Sequence, residues 1–203
     1  MKRLLLVIVC LPIWMAFRII TDCGCNQLGE AEHKRDKVKD RAPTKTDHAV
    51  KMSFSKFIKM GITAPEKAAI KADDDKPLVR EQKIVQMSGY AWIIKVSSED
   101  CDIHIELSEK NDKDAPRIIA EIPNTSAYCD FHSRVLSDLV NKFHLHKKTE
   151  YHFDKNDNDG EPIPLTIAGY LFWDSGHPTN ANHGSDKVAS VWEVHPVCDL
   201  KWK

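Results

Sequence analysis

The sequence lacks an excess of charge of either sign. Its 203 residues include 29 lysines and arginines and 30 aspartates and glutamates, for a formal net charge of -1. Proteins that coat nucleic acid nonspecifically need surplus cations to neutralise phosphates, so the balance argues against that class. The length suits one domain with a core, or a small domain with an anchor and a linker, and argues against separate cofactor and substrate lobes.

The sequence also lacks the short contiguous motifs that mark many enzymes. It contains no H-E-x-x-H, no C-x-x-C and no G-x-S-x-G, which are signatures of zinc proteases, redox or zinc sites and serine hydrolases. The segment DKNDNDG, Asp154 to Gly160, misplaces the glycine and the bidentate glutamate of a calcium loop. We therefore expect this segment to be a loop of turn-forming residues.

No apolar run reaches the length of about 20 residues that a typical transmembrane helix needs. The N-terminus has Lys2 and Arg3 followed by 14 residues, Leu4 to Phe17, that are almost all apolar. This is the pattern of a secretory signal. We expect residues 1–22 to be a signal peptide, cleaved or lipidated, or an uncleaved membrane anchor in which Arg18 snorkels. Either way the protein is exported and is periplasmic, envelope-attached or secreted.

Export would place the cysteines in an oxidising compartment, where disulfides form. Cys10 lies in the signal, which leaves five others: Cys23, Cys25, Cys101, Cys129 and Cys198. Because Cys101 and Cys129 each border a predicted strand or helix, we expect them to form a disulfide. Cys23 and Cys25 form a C-x-C pair without a second pair, which is a weak metal signal and more typical of a tether or lipid site.

Three regions follow the signal. Residues 23–52 are rich in charges of both signs and poor in apolar residues, so we expect a charged linker that is either solvated or a frayed helix. Residues 53–82 predict a helical or irregular extension, in which residues 53–62 suit either a short amphipathic helix or a strand. Residues 83–203 predict the folded domain.

Five strands and one helix can be drawn in this domain from apolar periodicity. The strands are expected at Lys83–Val96, Asp102–Ser108, Arg117–Ile122, Leu165–Trp173 and Val188–Val197. An amphipathic helix is expected after the third strand, and Gly89 is expected to form a bulge that bends the first. The order β-β-β-α-β-β is typical of the OB-fold, a five-stranded Greek-key barrel. Another small α+β sheet is the alternative.

Strand alternation places several polar residues on the face opposite the apolar core residues. In an OB barrel the second, third and fifth strands are neighbours, so these residues are expected to form one patch: His104, Glu106, Glu121, Glu193 and His195. Asp174 and His177 lie in the loop before the last strand, which commonly overhangs the binding face of this fold.

This patch has three interpretations. The histidines and acids form structural pairs between strands, or they face a ligand, or they bind a divalent metal. In the metal interpretation His104, His177 and His195 are the ligands and Glu121 or Glu193 is the general base. The aromatic residues of the strands, among them Trp92 and Tyr170, also suit base stacking or sugar binding, although strand aromatics are more often core.

Several strings of the domain resemble a poorly characterised family of exported bacterial proteins. They are EDCDIHIELSE, RIIAEIP, GYLFWDSGH and WEVHPV, in that order between about Lys83 and Val197. The resemblance implies export, an OB-like domain and a Cys101–Cys129 bridge. It implies seven family positions: Asp102, His104, Glu121, Asp174, His177, Glu193 and His195. Cys101 departs from the glycine that such proteins often carry before the first aspartate.

The sequence therefore predicts an exported, noncatalytic OB-like module that uses these seven residues to bind a ligand. The expected partners are an oligosaccharide, a nucleic acid or an envelope protein, with membrane attachment through the N-terminus. The alternative is a metal-dependent hydrolase, for example a phosphodiesterase, with a divalent metal as its cofactor. A third interpretation is a purely structural envelope protein.

Overall fold

The structure, a computed structural model, describes residues 35–97, 100–144, 150–153, 160–177 and 184–203. The predicted signal or anchor, Cys23 with Cys25, and residues 154–159 of the predicted turn loop lie outside the described residues. None of the helices in the described part of the chain is long and apolar enough to cross a membrane.

Five strands close into a barrel. They are β2 (Ile84–Val96), β3 (Ile103–Ser108), β4 (Arg117–Ile122), β6 (Ile163–Trp173) and β7 (Val188–Trp202). The order around the wall is β2-β3-β4-β7-β6, and β6 pairs again with β2. All pairs are antiparallel except β4 with β7. This arrangement confirms the predicted OB-like barrel.

The barrel forms because its strands carry apolar residues at every second position. In β3, Ile103, Ile105 and Leu107 are fully buried in the core. The alternate residues His104 and Glu106 are also buried, so β3 is covered on both faces. Residues from outside the five barrel strands must therefore cover the outer face of β3.

The long strand β2 exchanges neighbours along its length. Its first part, up to Ala91, pairs with β6, and its second part, from Tyr90, pairs with β3. The register shift lies between Ala91 and Ile93, so the bulge is at Trp92 and the prediction of a bulge at Gly89 is wrong. Gly89 instead permits a close approach, because a Cβ there would lie 2.3 Å from the carbonyl oxygen of Ser108.

The helix between the third and fourth barrel strands is α4 (Cys129–Phe143). Its apolar face buries Val135 and Leu139, and it ends at His144, which has a left-handed φ of 57°. Phe143 packs edge-on against Trp202 at the end of β7, with ring centroids 5.1 Å apart. A short strand, β5 (Glu150–His152), then pairs with the second half of β2.

The elements before the barrel are short. They are α1 (Asp36–Lys39), β1 (Val50–Lys51), α2 (Phe54–Ile58), α3 (Ala64–Ala72) and a 3-10 turn at Arg80–Gln82. Of the two alternatives for residues 53–62, the helix is the one formed, and α2 buries Phe54 and Phe57 against the barrel core. A capping box between Thr63 and Glu66 begins α3.

The segment around α1 differs from the predicted solvated linker. Arg35 and Val38 are buried, and the Arg35 guanidinium pairs with both carboxylate oxygens of Glu81 at 2.6 and 2.7 Å. Arg35 also donates to the carbonyl oxygen of Trp173. A charge-rich composition favours solvation only where the charges lack buried partners, and here Arg35 has one.

Candidate functional site

The outer face of β3, β4 and β7 carries a cluster of charged residues, which we call the charged cluster. It contains Lys39, Asp100, Asp102, His104, Glu106, Glu121, Glu193 and His195. Strand alternation places its β-strand members opposite the core, as the sequence predicts. Asp102 is fixed at the start of β3, where its Oδ1 accepts a hydrogen bond from the backbone N–H of Asn124 at 2.8 Å.

Glu121 lies at the centre of the charged cluster, between two imidazoles. Its Oε1 is 2.7 Å from Nδ1 of His104, its direct neighbour across the β3–β4 ladder. Its Oε2 is 2.9 Å from Nδ1 of His195 on β7. One carboxylate therefore links three strands.

His195 is completely buried. Its Nδ1 is also 3.4 Å from Glu193 Oε2, and its Nε2 is 3.8 Å from Asp102 Oδ2. These are close ion pairs without hydrogen-bond alignment, since neither ring nitrogen makes an aligned hydrogen bond among the described residues. The imidazole is thus surrounded by carboxylates on both of its nitrogen-bearing edges.

The N-terminal segment covers this face with Lys39, the last residue of α1. Its ammonium nitrogen lies 3.0 Å from an oxygen of Asp100, 3.4 Å from one of Asp102 and 3.9 Å from one of Glu121. The chain therefore supplies its own cation to an acidic surface. This contact explains part of the burial that strand alternation could not predict.

Proton affinities in the charged cluster follow from burial and pairing. Burial by itself lowers the pKa of His104 and His195, but their carboxylate partners outweigh it and raise both values to about 9. Burial raises the pKa of Asp102 to about 7. Against the opposing effect of burial, the His104 imidazole 3.8 Å away and hydrogen bonds from Ser185 lower the pKa of Glu106 to about 2.

Glu106 connects the charged cluster to the loop that precedes β7. Its Oε1 accepts the backbone N–H of Ser185 at 2.7 Å, and its Oε2 accepts the Ser185 hydroxyl at 2.5 Å. The same oxygen lies 3.4 Å from a guanidinium nitrogen of Arg117. Glu106 therefore holds the end of this loop against the barrel.

Of the seven predicted binding residues, the structure brings five into the charged cluster: Asp102, His104, Glu121, Glu193 and His195. Asp174 and His177 instead make a pair of their own just after β6, with His177 Nδ1 2.5 Å from Asp174 Oδ2. Among the described residues, no hydrogen bond or ion pair joins Asp174 or His177 to any of these five. The ligand-binding role of all seven stays a prediction.

Two groups of residues, drawn from the charged cluster and from Asp40 beside it, have the ligand types and spacing of a metal site. The first is Asp40, Asp102 and His195, and the second is Glu121, Glu193 and His195; within each group the ligand atoms lie within 4.8 Å of one another. The predicted ligands His104 and His177 belong to neither group. His195 is shared, and carboxylate–imidazole sets of this kind suit zinc, manganese or iron.

A second feature, not predicted from the sequence, is a cleft of about 360 Å³ at one side of the barrel. Its lining comprises Trp92, Ile93, Lys113, Asp114, Arg117, His152, Ser185, Asp186 and Lys187. These residues come from β2, the β3–β4 turn, β4, β5 and the loop before β7. The sequence indicates Arg117 only as one of a few cations near the sheet. The other lining residues show no regular spacing in the sequence that would group them.

The predicted disulfide between Cys101 and Cys129 is not tested by the contacts around these two residues. His132, in the first turns of α4, donates from Nε2 to the carbonyl oxygen of Cys101 at 2.8 Å. This bond places the chain at Cys101 beside the helix that begins with Cys129. Cys198 is a free thiol. The Cys101–Cys129 disulfide stays a prediction, which peptide mapping of the unreduced protein would test.

Comparisons with known proteins identify no relative. No protein-family model, no curated protein and no solved structure matches this chain. The resemblance to an exported bacterial family stays a prediction.

Proposed function

We propose that this chain is an exported, noncatalytic OB-like module that binds its ligand in the cleft beside Arg117 and Trp92. The observation that carries the proposal is the cleft itself, which has room for a small molecule and is lined by an indole and several charged side chains. OB barrels commonly bind ligands on this kind of surface, where a barrel face meets the loop before the last strand.

The charged cluster supports the cleft as the binding surface because the chain already covers the cluster. His195 is 0% exposed and Asp102, His104 and Glu193 are 4–6% exposed. Lys39 already lies against three carboxylates of this face, those of Asp100, Asp102 and Glu121, so a ligand there would compete with its ammonium group. In the proposed function the cluster is a structural support that fixes β3, β4, β7 and the loop beside the cleft.

A binding screen tests this proposal. The full chain would be titrated with small phosphorylated sugars, oligosaccharides and single-stranded oligonucleotides, with Lys187→Gln as the cleft variant and Lys37→Gln as the matched control outside the cleft. We expect at least one probe to bind, and the cleft variant alone to weaken it. Phosphodiester or ester turnover that disappears in folded His104→Ala and His195→Ala variants would overturn the proposal.

A metal-dependent hydrolase is the second candidate, favoured by one observation. His195 contributes to two groups of potential metal ligands, and neither of its nitrogens makes an aligned hydrogen bond among the described residues. A divalent ion held there would act as a Lewis acid on a phosphoryl or carbonyl oxygen. Glu121 and Glu193 contact His195 and would hold the ion with it in the second group, as Asp40 and Asp102 would in the first.

Elemental analysis separates the two candidates. The full chain would be purified without chelator in buffers containing zinc or manganese, together with His195→Ala and with His177→Ala, which lies outside both groups. Close to one equivalent of metal, lost only in a folded His195→Ala variant, would support the hydrolase and justify phosphodiester assays. No metal in the parent protein would reject it.

A further inference from the structure

Arg117, the first residue of β4, is a buried guanidinium that uses its hydrogen-bonding capacity poorly. Its side chain is 9% exposed. Two of its nitrogens make long contacts, 3.4 Å to Glu106 Oε2 and 3.5 Å to the carbonyl oxygen of Lys113. Its Nε has no hydrogen-bond partner among the described residues. A buried donor of this kind normally has a protein, water or ligand acceptor.

The aromatic neighbour of Arg117 does not supply that acceptor. The guanidinium carbon lies 5.2 Å from the ring centroid of Trp92, a cation–π contact that fixes the position of the charge without accepting an aligned N–H hydrogen bond. The indole N–H of Trp92 is itself used, since it donates to Ser108 Oγ at 2.7 Å. Arg117 is therefore held rigidly at the cleft with a donor to spare.

The rest of the cleft lining adds cations around Arg117. Two lysines, Lys113 and Lys187, are among the lining residues, together with two aspartates, Asp114 and Asp186. Lys187 lies 3.5 Å from an oxygen of Asp114 and 3.6 Å from one of Asp186, distances that leave it room to contact a further anion. Three cations therefore line the cleft with two acids.

We propose that Arg117, with Lys113 and Lys187, binds the phosphate group of a small phosphorylated ligand. This inference rests on the proposed binding function and names the ligand class. A guanidinium presents a planar fork of N–H donors that matches two phosphate oxygens at once, whereas a lysine ammonium acts as a compact point charge. The cleft has a volume of about 360 Å³, which is the volume that roughly a dozen water molecules occupy in the liquid. A phosphate group alone requires less than this.

Nuclear magnetic resonance tests the inference directly. The ¹⁵N-labelled full chain would be titrated with sodium phosphate at constant ionic strength, and with acetate as a carboxylate comparison. The probe is the indole N–H of Trp92, assigned with a Trp92→Phe variant. We expect saturable shifts of this signal and of the Ser185 amide with phosphate, and weaker ones with acetate.

Three variants provide the controls. Arg117→Lys keeps a positive charge beside Glu106 but removes the Nε donor, so we expect the fold to persist and the phosphate Kd to rise about tenfold. Lys187→Gln, at a half-exposed site, should weaken binding without affecting the core. Lys37→Gln, outside the cleft, should leave the Kd unchanged.

The outcomes distinguish this inference from the proposed function. If phosphate shifts residues outside the cleft, or shifts the cleft equally in Arg117→Lys, an adventitious ion only has been seen and the inference is wrong. If phosphate does not bind but an uncharged oligosaccharide binds in the cleft, the inference fails and the proposed function stands. If no probe binds in the cleft, both fail.

Discussion

The buried ion pair of Arg35 and Glu81 shows how a single contact attaches the N-terminal segment to the barrel. Glu81 accepts two hydrogen bonds from Arg35 and two more from the backbone N–H groups of Leu78 and Trp173. Both side chains are 0% exposed. A carboxylate so placed is stable as long as its counter-charge stays in place.

Replacing Arg35 with methionine should lower the free energy of unfolding by about 3–5 kcal/mol, because it leaves the Glu81 charge buried without a cation. Urea denaturation measures the loss. The double variant Arg35→Met with Glu81→Gln should recover part of it, because the uncompensated charge is gone. Lys37→Met removes an exposed pair with Asp75 and should leave the free energy of unfolding nearly unchanged, because solvent screens such a pair. Equal losses for Arg35→Met and Lys37→Met would contradict this account.

Gly89 lies close to the point where the pairing of β2 changes from β6 to β3. The space at this position does not accommodate a side chain. A Cβ at this position would lie 2.3 Å from the Ser108 carbonyl oxygen and 2.8 Å from Phe54 Cζ. Gly89→Ala should therefore lower the free energy of unfolding by about 1–3 kcal/mol through overpacking. Gly61→Ala is the matched control, since nothing lies within 4 Å of its Cβ position. A Gly89→Ala variant as stable as the parent in urea would refute the close approach.

At the scale of elements, α1 depends on its contacts with the barrel. A helix of four residues does not form by itself in water, so its amide protection reports on Lys39 and its neighbours. Lys39→Met removes the cation from Asp100, Asp102 and Glu121. We expect amide hydrogen exchange over residues 35–41 to become at least about tenfold faster.

Lys37→Met again serves as the control, because this neighbouring lysine pairs with exposed Asp75 and makes no contact with the charged cluster among the described residues. Exchange in β3 and β4 should change little in either variant. Unchanged exchange over residues 35–41 in Lys39→Met would show that Arg35 and Val38 alone hold α1, and would exclude the charged cluster as its attachment.

The barrel strands were predictable because their apolar residues repeat with a period of two over six or more residues. The strands β1 and β5 have two and three residues, too few to show a period, and they were missed. The linker prediction treated charge as a sign of solvation. It could not include the buried carboxylates of Glu81 and Glu121, which come from elements distant in sequence.

The charged cluster was predictable for a similar reason, and only in part. Alternation put His104, Glu121 and His195 on one outer face, and the strand order of an OB barrel made them neighbours. Alternation says nothing about what covers that face, so the burial by Lys39 was not foreseen. The cleft was missed because its residues come from five separate elements and share no spacing in the sequence.

At the scale of the whole molecule, the charged cluster should make stability depend on pH in two directions. The pKa of His104 and His195 is raised to about 9 by their carboxylate partners, in spite of burial. Their contribution to stability is therefore complete below their unfolded pKa of about 6.5 and is lost as the pH rises through about 9. Burial also raises the pKa of Asp102, to about 7. Its contribution to stability is therefore complete below its unfolded pKa of about 3.9 and is lost as the pH rises through about 7.

Glu106 and Glu121 act in the opposite direction. Burial raises the pKa of both groups, but the nearby His104 and hydrogen bonds from Ser185 lower the pKa of Glu106 to about 2. The neighbouring His104 and His195 lower the pKa of Glu121 well below its usual value. Their contribution is complete above an unfolded pKa of about 4.3 and is lost as the pH falls toward 2. Because the contribution of Asp102 is already being lost as the pH rises above about 4, the molecule should be most stable between about pH 4 and 5.

Chemical denaturation from pH 3 to 9.5, in buffers that contain chelator so that no metal competes with protons for imidazole, measures this curve. Above about pH 6.5 we expect the free energy of unfolding to fall by at least about 1 kcal/mol per pH unit, since one retained proton is worth about 1.4. In His195→Gln this slope should be smaller, whereas His177→Gln, half-exposed beside Asp174, should keep it. A flat profile from pH 6.5 to 9 would mean that the buried imidazoles are neutral, and the ion pairs around Glu121 would then have to be hydrogen bonds to uncharged histidines.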